Sequence, residues 1–543
     1  MFQVLMLYGD RLIYFSKNLS TRNHVSSNFN LAVSVYQNAL NHPDSLAVAD
    51  PNSCLTFKEL ATQASKVAGQ LECFERRPRA RIALLASRSV NACVGLLGIS
   101  WLGATYVPIN LKWPTQRMID IIKRCDLSII VTDDQGLGKL SQEMLSGLSV
   151  TVLHVGNKES ALDKCIDLKD LPQTNIFAPA IMRKDDVAYV MFTSGTTGEP
   201  KGVVISCGAV RNYCQQMSKV LKLQSDDKAL ETCEMSFDVS IHNMFVTWEV
   251  GAQVHILPAT HVMNAVKIVN NAKLTVWNSV PSLAGMLIQI KALAPDSLKD
   301  LRLTVFGGEQ LSSGVVKAWR IAAPKSRIFN LYGPTEATVF CSYNEVKDAD
   351  IQPEAKQVVS IGKPLCGSEL AILTGGQLQH KTKTRGELLI SGTQLAVEYF
   401  QRPDLTKAAF VMIGSKRWYR TGDLAEIDDK GLFHCLGRLD HQVKILGHRV
   451  ELEEIDSHVR SVSGIELVAT VAWPIDEFGN AKGTVSFVLG QEIDEADLLT
   501  KLRQRIASYL IPTQIIGLSE MPMNTSGKVD RKALLHRLSN QTQ

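Results

Sequence analysis

The stretch that decides the fold is Tyr189-Val-Met-Phe-Thr193-Ser194-Gly195-Thr196-Thr197-Gly198-Glu199-Pro200-Lys201-Gly202. An apolar, strand-like run enters a loop of glycines and hydroxyls. Glycine lets successive backbone N–H groups turn toward one point, which suits a polyanion, and the hydroxyls add further donors. Lys201 supplies a positive charge at the end of the loop. A Walker loop needs G-x-x-x-x-G-K-[ST]. Here Pro200 precedes the lysine and Gly202 follows it, so that pattern fails.

Working outward, residues 57–71 carry a helical apolar stripe of Phe57, Leu60, Ala61, Ala64, Val67, Ala68 and Leu71. Ile82–Ala86 reads as a short buried strand, Val90–Trp101 as a helix, and Tyr106–Ile109 and Ser128–Thr132 as strands. Such alternation predicts parallel sheets covered by helices, and it continues through residues 187–310. From about residue 360 the texture changes to short strand-like runs, Glu387–Ser391, Leu424–Asp428 and Leu432–Leu436, between glycine turns such as Thr374-Gly375-Gly376 and Asp429-Lys430-Gly431. The fold class expected is α/β: a large N-terminal domain of layered sheets and helices with a β-rich subdomain at about 360–438, then a small α+β C-terminal domain. We draw the boundaries as an extension over 1–28, a core over 29–438 and a C-terminal domain over 439–543.

Composition narrows the class. The chain has 543 residues, 45% of them apolar and 21% charged, with a formal net charge of +4. This suffices for a large core and gives no reason to expect nucleic acid. The densest basic run, Arg76, Arg77, Arg79 and Arg81, reads as a solvated connection. Eleven cysteines form no C-x-x-C pair, which argues against a disulfide framework or zinc site and for a reducing, cytoplasmic setting. Asp10 and Arg11 interrupt the apolar start, so no signal peptide is expected. No run of about 18 apolar residues predicts membrane insertion.

The glycine-rich loop resembles the phosphate loop of the adenylate-forming superfamily, which includes acyl-CoA synthetases, luciferases and the adenylation domains of peptide synthetases. Further segments match that family in order: Leu55-Thr-Phe-Lys-Glu-Leu60, Gly103-Ala-Thr-Tyr-Val-Pro-Ile-Asn110, Asn330-Leu-Tyr-Gly-Pro-Thr-Glu336, Gly386-Glu-Leu-Leu-Ile-Ser-Gly392, Tyr419-Arg-Thr-Gly-Asp423, the run from Gly437 to Glu451, and Asn524-Thr-Ser-Gly-Lys528-Val-Asp-Arg. The resemblance implies two steps. A carboxylate attacks the α-phosphate of ATP, giving an acyl-adenylate and pyrophosphate. A thiol then displaces AMP.

It also implies roles. Thr193, Ser194, Gly195, Thr196, Thr197, Gly198 and Lys201 would hold the β- and γ-phosphates. Gly307, Gly308, Glu309, Asn330, Tyr332 and Gly333 would surround adenine, Thr335 would meet the α-phosphate, and Glu336 would hold Mg²⁺, as a hard oxygen ligand should. Asp423 would accept the ribose hydroxyls, with Arg438 beside it. Lys528 would be the catalytic lysine. Asp440 would be the hinge about which the C-terminal domain moves, and Gly447 would line the thiol channel.

Asp238, in Met235-Ser-Phe-Asp238-Val-Ser, matches the aspartate that pairs the substrate ammonium in amino-acid-activating relatives; otherwise it is a loop aspartate capping backbone. The pocket wall by the same correspondence is Val239, His242, Asn278, Val305, Gly307, Leu331, Val339 and Phe340. Only one of these is glycine, so a small side chain is favoured: glycine first, then alanine of either hand, serine and threonine. His242 is read as packing. Two features depart from the family: Val204-Ile-Ser-Cys207-Gly-Ala after the phosphate loop, closer to stand-alone D-alanine–carrier-protein ligases, and Glu398 where glycine is usual.

No carrier-protein or condensation signature accompanies these motifs. The expectation is a free-standing, monomeric ligase that loads a small amino acid onto the phosphopantetheine of a separate carrier protein, of the kind that serves lipid A or envelope aminoacylation. An acyl- or aryl-CoA ligase and a non-catalytic nucleotide-binding paralogue are the rivals. Asp238 argues against the first, and Lys528, Glu336 and Asp423 against the second.

Overall fold

The computed structural model describes residues 28–172, 176–195, 200–351, 358–440, 442–445, 447–478, 480–490, 492–523 and 529–541, with two short strands at 7–8 and 11–12. Thr196, Thr197, Gly198 and Lys528, and nearly all of the 1–28 extension, lie outside the described residues.

Two large sheets form the body. One has eight strands, with Val187–Thr193 and Lys201–Ser206 next to Thr105–Ile109 and Arg81–Leu85. The other has nine, running through Arg327–Tyr332, Leu303–Gly307, Val276–Ser279, Lys228–Glu231 and Gln253–Ile256. Their central strands are parallel. Side chains alternate across a strand, and the apolar clusters follow that alternation. Ile82 and Leu84 join one core with Leu303 and Val305 of the other sheet. Ala83 and Leu85 face a second cluster, and Phe306 and Trp277 a third. One continuous core therefore lies between the sheets, and each sheet buries its outer face separately.

The central helices suit that position. Val90–Leu102 is buried along almost its whole length. It begins where Ser89 Oγ accepts from the Ala92 amide at 3.1 Å and ends at Gly103 in the left-handed region. Phe57–Phe74 presents the predicted stripe to the core and starts with a reciprocal cap between Thr56 and Glu59.

Beyond residue 360, Ser368–Thr374, Gln377–Gln379, Arg385–Gly392, Phe410–Ile413, Lys416–Ile427 and Phe433–Arg438 form an antiparallel sheet. A hairpin, Gln442–Ile445 with His448–Glu451, follows. The last portion is a three-stranded sheet, Val468–Ala472, Thr484–Leu489 and Gln514–Leu518, with helices Leu452–Ser463, Glu495–Arg503 and Arg531–Gln541.

Arg76, Arg77 and Arg79 are exposed in the connection between the helix Phe57–Phe74 and the strand Arg81–Leu85, as the sequence suggested. Arg77 pairs with Glu75 and Asp126, Arg79 with Asp186 at 2.9 Å, and Arg81 donates to the Cys125 carbonyl at 2.7 Å. All eleven thiols are free. No helix among the described residues is long and apolar enough to cross a membrane.

Candidate functional site

The site residues gather at the carboxyl ends of the parallel strands in the nine-stranded sheet, where ligands bind in open α/β sheets. Sheet register sets the wall. Asn278 lies opposite Val305, and Gly307 opposite Leu331. Phe340 covers Gly307 so closely that a β-carbon there would lie 2.5 Å from the ring Cζ. His242 meets the Phe340 ring edge-on, with centroids 5.4 Å apart. Val339 is buried beside it. Several of the residues expected to line the pocket are thus neighbours, and the Phe340 ring fills the space beside Gly307. His242 is fully enclosed: the Tyr213 hydroxyl lies 2.5 Å from its Nδ1, and burial lowers its pKa to about 3. It packs as a neutral ring, as the sequence suggested.

Asp238 opens the short helical turn that carries Val239 and His242. Its side chain makes no N-cap bond to the turn, while the adjacent Val239 amide helps to hold its charge. Its Oδ2 is buried and has no hydrogen-bond partner. Burial raises its pKa to about 6, against the partial relief given by the Thr335 hydroxyl. The Tyr189 hydroxyl, close enough to feel the Asp238 charge, is also buried and unpartnered. Asn278 donates to the Leu230 carbonyl at 3.3 Å, and its Oδ1 is left without a partner.

The residues expected on the nucleotide side form a second group. Tyr332 donates its hydroxyl to Asp423 Oδ2, and Arg438 Nη1 donates to Asp423 Oδ1 at 2.8 Å. Arg438 Nε also donates to Asp440 Oδ1 at 2.8 Å, so Asp423 and the expected hinge residue share one guanidinium. Glu309 accepts from the Ser282 amide at 2.9 Å and from the Gly447 amide at 2.5 Å. Asn330 donates to the Val359 and Ser360 carbonyls at 3.2 and 2.9 Å, which ties its strand to the following segment. Gly308 and Gly333 each stand one residue past the end of a parallel strand.

Glu336 is fully buried. Burial alone would raise its pKa, yet the Arg449 and Lys201 cations and the Tyr399 hydroxyl hold it at about 2. The Tyr399 hydroxyl donates to Oε1 at 2.7 Å, and Arg449 Nη1 donates to Oε2 at 2.8 Å. A permanently ionised, hard-oxygen ligand fits Mg²⁺, which binds through one or two carboxylates plus substrate phosphates. With Arg449 in place, both oxygens are engaged.

Thr193 and Lys201 face each other across the two strands that enter and leave the loop. Burial lowers the Lys201 pKa. Met523 and Val529, on either side of the segment containing Lys528, pair as an isolated bridge, and Arg531 anchors the next helix to Asp456 at 2.5 Å. Glu398 pairs with Val204 at the sheet edge.

Sequence reasoning missed the residues that the C-terminal segment brings in: Arg449, Glu451 and Glu454, together with Tyr399. Arg449 and Glu451 stand in the quoted run to Glu451, but nothing local to that run says that their side chains reach Glu336 and Lys201. His448 also comes from this segment; it stacks on Tyr509 at 4.0 Å and meets Phe237 edge-on.

Comparison with known proteins adds the following. The profile of the family described as AMP-binding enzyme matches residues 35–400. Delta-poly-L-ornithine synthetase of Acinetobacter baumannii is 30% identical over 506 residues, which is 91% of this chain and 36% of that protein. Tyrocidine synthase 3 of Brevibacillus parabrevis is 30% identical over 512 residues, 92% of this chain and 7% of that one. The chain thus spans roughly a third or less of these relatives. Among solved structures, the Vibrio cholerae adenylation domain AlmE, in complex with glycyl-adenosine-5'-phosphate, superposes with a TM-score of 0.84 at 27% identity, covering 98% of this chain and 100% of that one. Holo-PA1221, a peptide-synthetase protein with adenylation and carrier domains, shares the fold with a TM-score of 0.78 at 24% identity, covering 95% and 85%.

Proposed function

The chain belongs to the AMP-binding enzyme family of adenylate-forming ligases, and from that premise we propose that it activates a small amino acid, glycine foremost, as the aminoacyl-adenylate and passes it to the phosphopantetheine thiol of a separate carrier protein. The observation that carries the amino-acid reading is Asp238 Oδ2, buried and without a partner at the head of the pocket. The Thr335 hydroxyl, the Lys444 charge and the Val239 amide offset burial only in part; a buried carboxylate oxygen left without a partner is costly, and a cationic ligand removes that cost. A fatty or aryl acid has no ammonium to offer it. The Phe340 ring packed onto Gly307 supports a small side chain, and the glycyl-adenylate bound by AlmE fits that reading.

In this proposal Asp238 holds the ammonium and so aims the substrate carboxylate toward Thr335, whose hydroxyl lies close enough to lower the Asp238 pKa. Ser194, the Gly195 amide and Lys201 hold the phosphates, joined by Thr193, Thr196, Thr197 and Gly198. Tyr332 and Asp423 hold adenine and ribose. Glu336 would bind the magnesium ion, which offsets phosphate charge when present. Lys528 would bridge the two anions as they meet. Asp440 would act as the hinge between half-reactions, with the segment after residue 439 as the moving part. Eleven free thiols suit a reducing cytoplasm. Service to lipid A or another envelope acceptor is the biological setting we favour.

Amino-acid-dependent ATP–pyrophosphate exchange across a panel of acids tests the reading. Exchange should be strongest with glycine or another small amino acid. Exchange with a fatty or aryl acid and with no amino acid would overturn it.

A further inference from the structure

The ammonium of Lys201 can meet a ligand only as well as the backbone beneath it is held. On one side that backbone is regular sheet, with Thr193 opposite Lys201 and Phe192 opposite Gly202. On the other side, pairing with Glu398–Tyr399 reaches Val203, and a further bond runs from the Phe400 amide to the Gly202 carbonyl at 2.7 Å. Pro200 has no N–H with which to carry the ladder on.

A side chain from a third segment takes over at that point. Arg124 is the last residue of the helix Thr115–Arg124. Its Nη1 donates to the Pro200 carbonyl at 3.0 Å, and its Nη2 to the Phe400 carbonyl at 3.2 Å. A planar guanidinium offers donors to both oxygens at once in a fixed fork. It also lies 5.8 Å from the centre of the buried Phe192 ring. That ring packs on Gly202, where a β-carbon would come to 3.0 Å from Phe192 and 3.1 Å from Phe400. Arg81 braces the same corner. Its guanidinium lies 5.1 Å from the Phe400 ring centre, and its Nε donates at 2.7 Å to the carbonyl of Cys125, the residue after Arg124. Arg124 therefore holds residue 200 while the Phe400 amide holds residue 202, and Lys201 stands between the two.

We propose that Arg124 is a positioning residue for Lys201, fixing the backbone from which that lysine reaches the β- and γ-phosphates of ATP. This rests on the phosphate role proposed above for Lys201. Arg124 engages backbone oxygens and an aromatic face, so it acts on the ligand through geometry. Lys201 Nζ lies 5.8 Å from the ring centre of Tyr399, the neighbour of Phe400. The same short segment thus guides both the backbone and the ammonium, and a shift of one carries the other. Misplacing a binding group by about 1 Å is enough to cost much of its effect.

The test measures binding of magnesium ATP and of AMP to the full chain by titration calorimetry, without amino acid. Arg124→Gln should weaken ATP about tenfold, the scale of one charge-assisted contact. AMP, which has no β- or γ-phosphate to lose, should bind as before. Arg124→Lys keeps the charge but not the fork, and should also weaken ATP alone. In a Lys201→Ala background, Arg124→Gln should add no further loss. Equal weakening of ATP and AMP would overturn the proposal, because it marks a general loosening of the core. So would wild-type ATP affinity in either Arg124 variant, or full additivity with Lys201→Ala. If Arg124→Gln does not fold, Arg124→Lys decides by the same readout. A wild type that binds ATP no more tightly than AMP, or a Lys201→Ala variant that binds ATP like the wild type, would instead remove the phosphate role of Lys201, and the inference with it.

Discussion

The ring of Phe340 lies in the space that a side chain on Gly307 would need, with Cζ only 2.5 Å from where a β-carbon would sit. The two residues come from different segments, and in the proposed function they would close one side of the substrate pocket. Gly307→Ala should therefore displace the ring, at a stability cost of about 1–3 kcal/mol, the usual penalty for overpacking. Thermal melting should fall, and KM for the small amino acid should rise. Phe340→Ala should act the other way on specificity, so that an exchange panel extends to larger side chains. An unchanged amino-acid profile in Phe340→Ala would show that this ring does not bound the substrate.

Asp238→Asn should separate binding from stability. It removes the charge that meets the ammonium, and losing a buried charge partner, at about 3 kcal/mol, lowers kcat/KM roughly a hundredfold. The same change should leave the melting temperature at pH 7.5 equal or higher. Burial has raised the Asp238 pKa to about 6, so the native state binds that proton more tightly than the unfolded chain does. Stability from this group is therefore present at low pH and declines as pH rises from the ordinary carboxylate range through about 6. Asparagine removes that penalty. A lowered melting temperature with unchanged kinetics would contradict both halves.

The same shift predicts a pH profile. In kcat/KM for the amino acid, which reports ionisations of the free enzyme, activity should drop as pH falls through about 6, where Asp238 takes up its proton. The acid limb should vanish in Asp238→Asn. A limb that persists unchanged in the variant would belong to another group.

Lys528→Ala should abolish pyrophosphate exchange, by at least about a hundredfold, the lower range for loss of a group acting in the transition state. Nucleotide binding, measured by calorimetry, should survive. Near-normal exchange would remove Lys528 from the chemistry.

Asp440→Pro should impair thiol transfer more than adenylation, because fixing φ at a hinge limits the rotation between half-reactions. Single-turnover transfer to carrier protein, compared with pyrophosphate exchange, checks this. Equal loss of both steps would count against a hinge at this position.

Much of the body was legible in the chain. The stripe from Phe57 to Leu71 and the runs at 82–86, 90–101 and 106–109 became helices and strands within a residue or a few of the reading, because apolar period and turn residues act locally. The residues expected to form the pocket wall were chosen through family correspondence alone. No local signal says that Asn278 pairs with Val305 or that Phe340 folds over Gly307. The arginines at 76, 77 and 79 do stand exposed in a helix–strand connection, but the ion pairs of Arg77 with Asp126 and of Arg79 with Asp186 join segments whose approach the run itself does not show.

The sequence alone determined the family and the layered α/β class, because each is written in residue types at fixed local spacing. Tertiary structure decided two things that spacing cannot express. It left Asp238 Oδ2 buried without a partner, and it set Arg449, Glu451 and Glu454 against Glu336, Lys201 and Gly195. Both are matters of electrostatic complementarity between segments far apart in the chain, and charge acts through space rather than along the backbone.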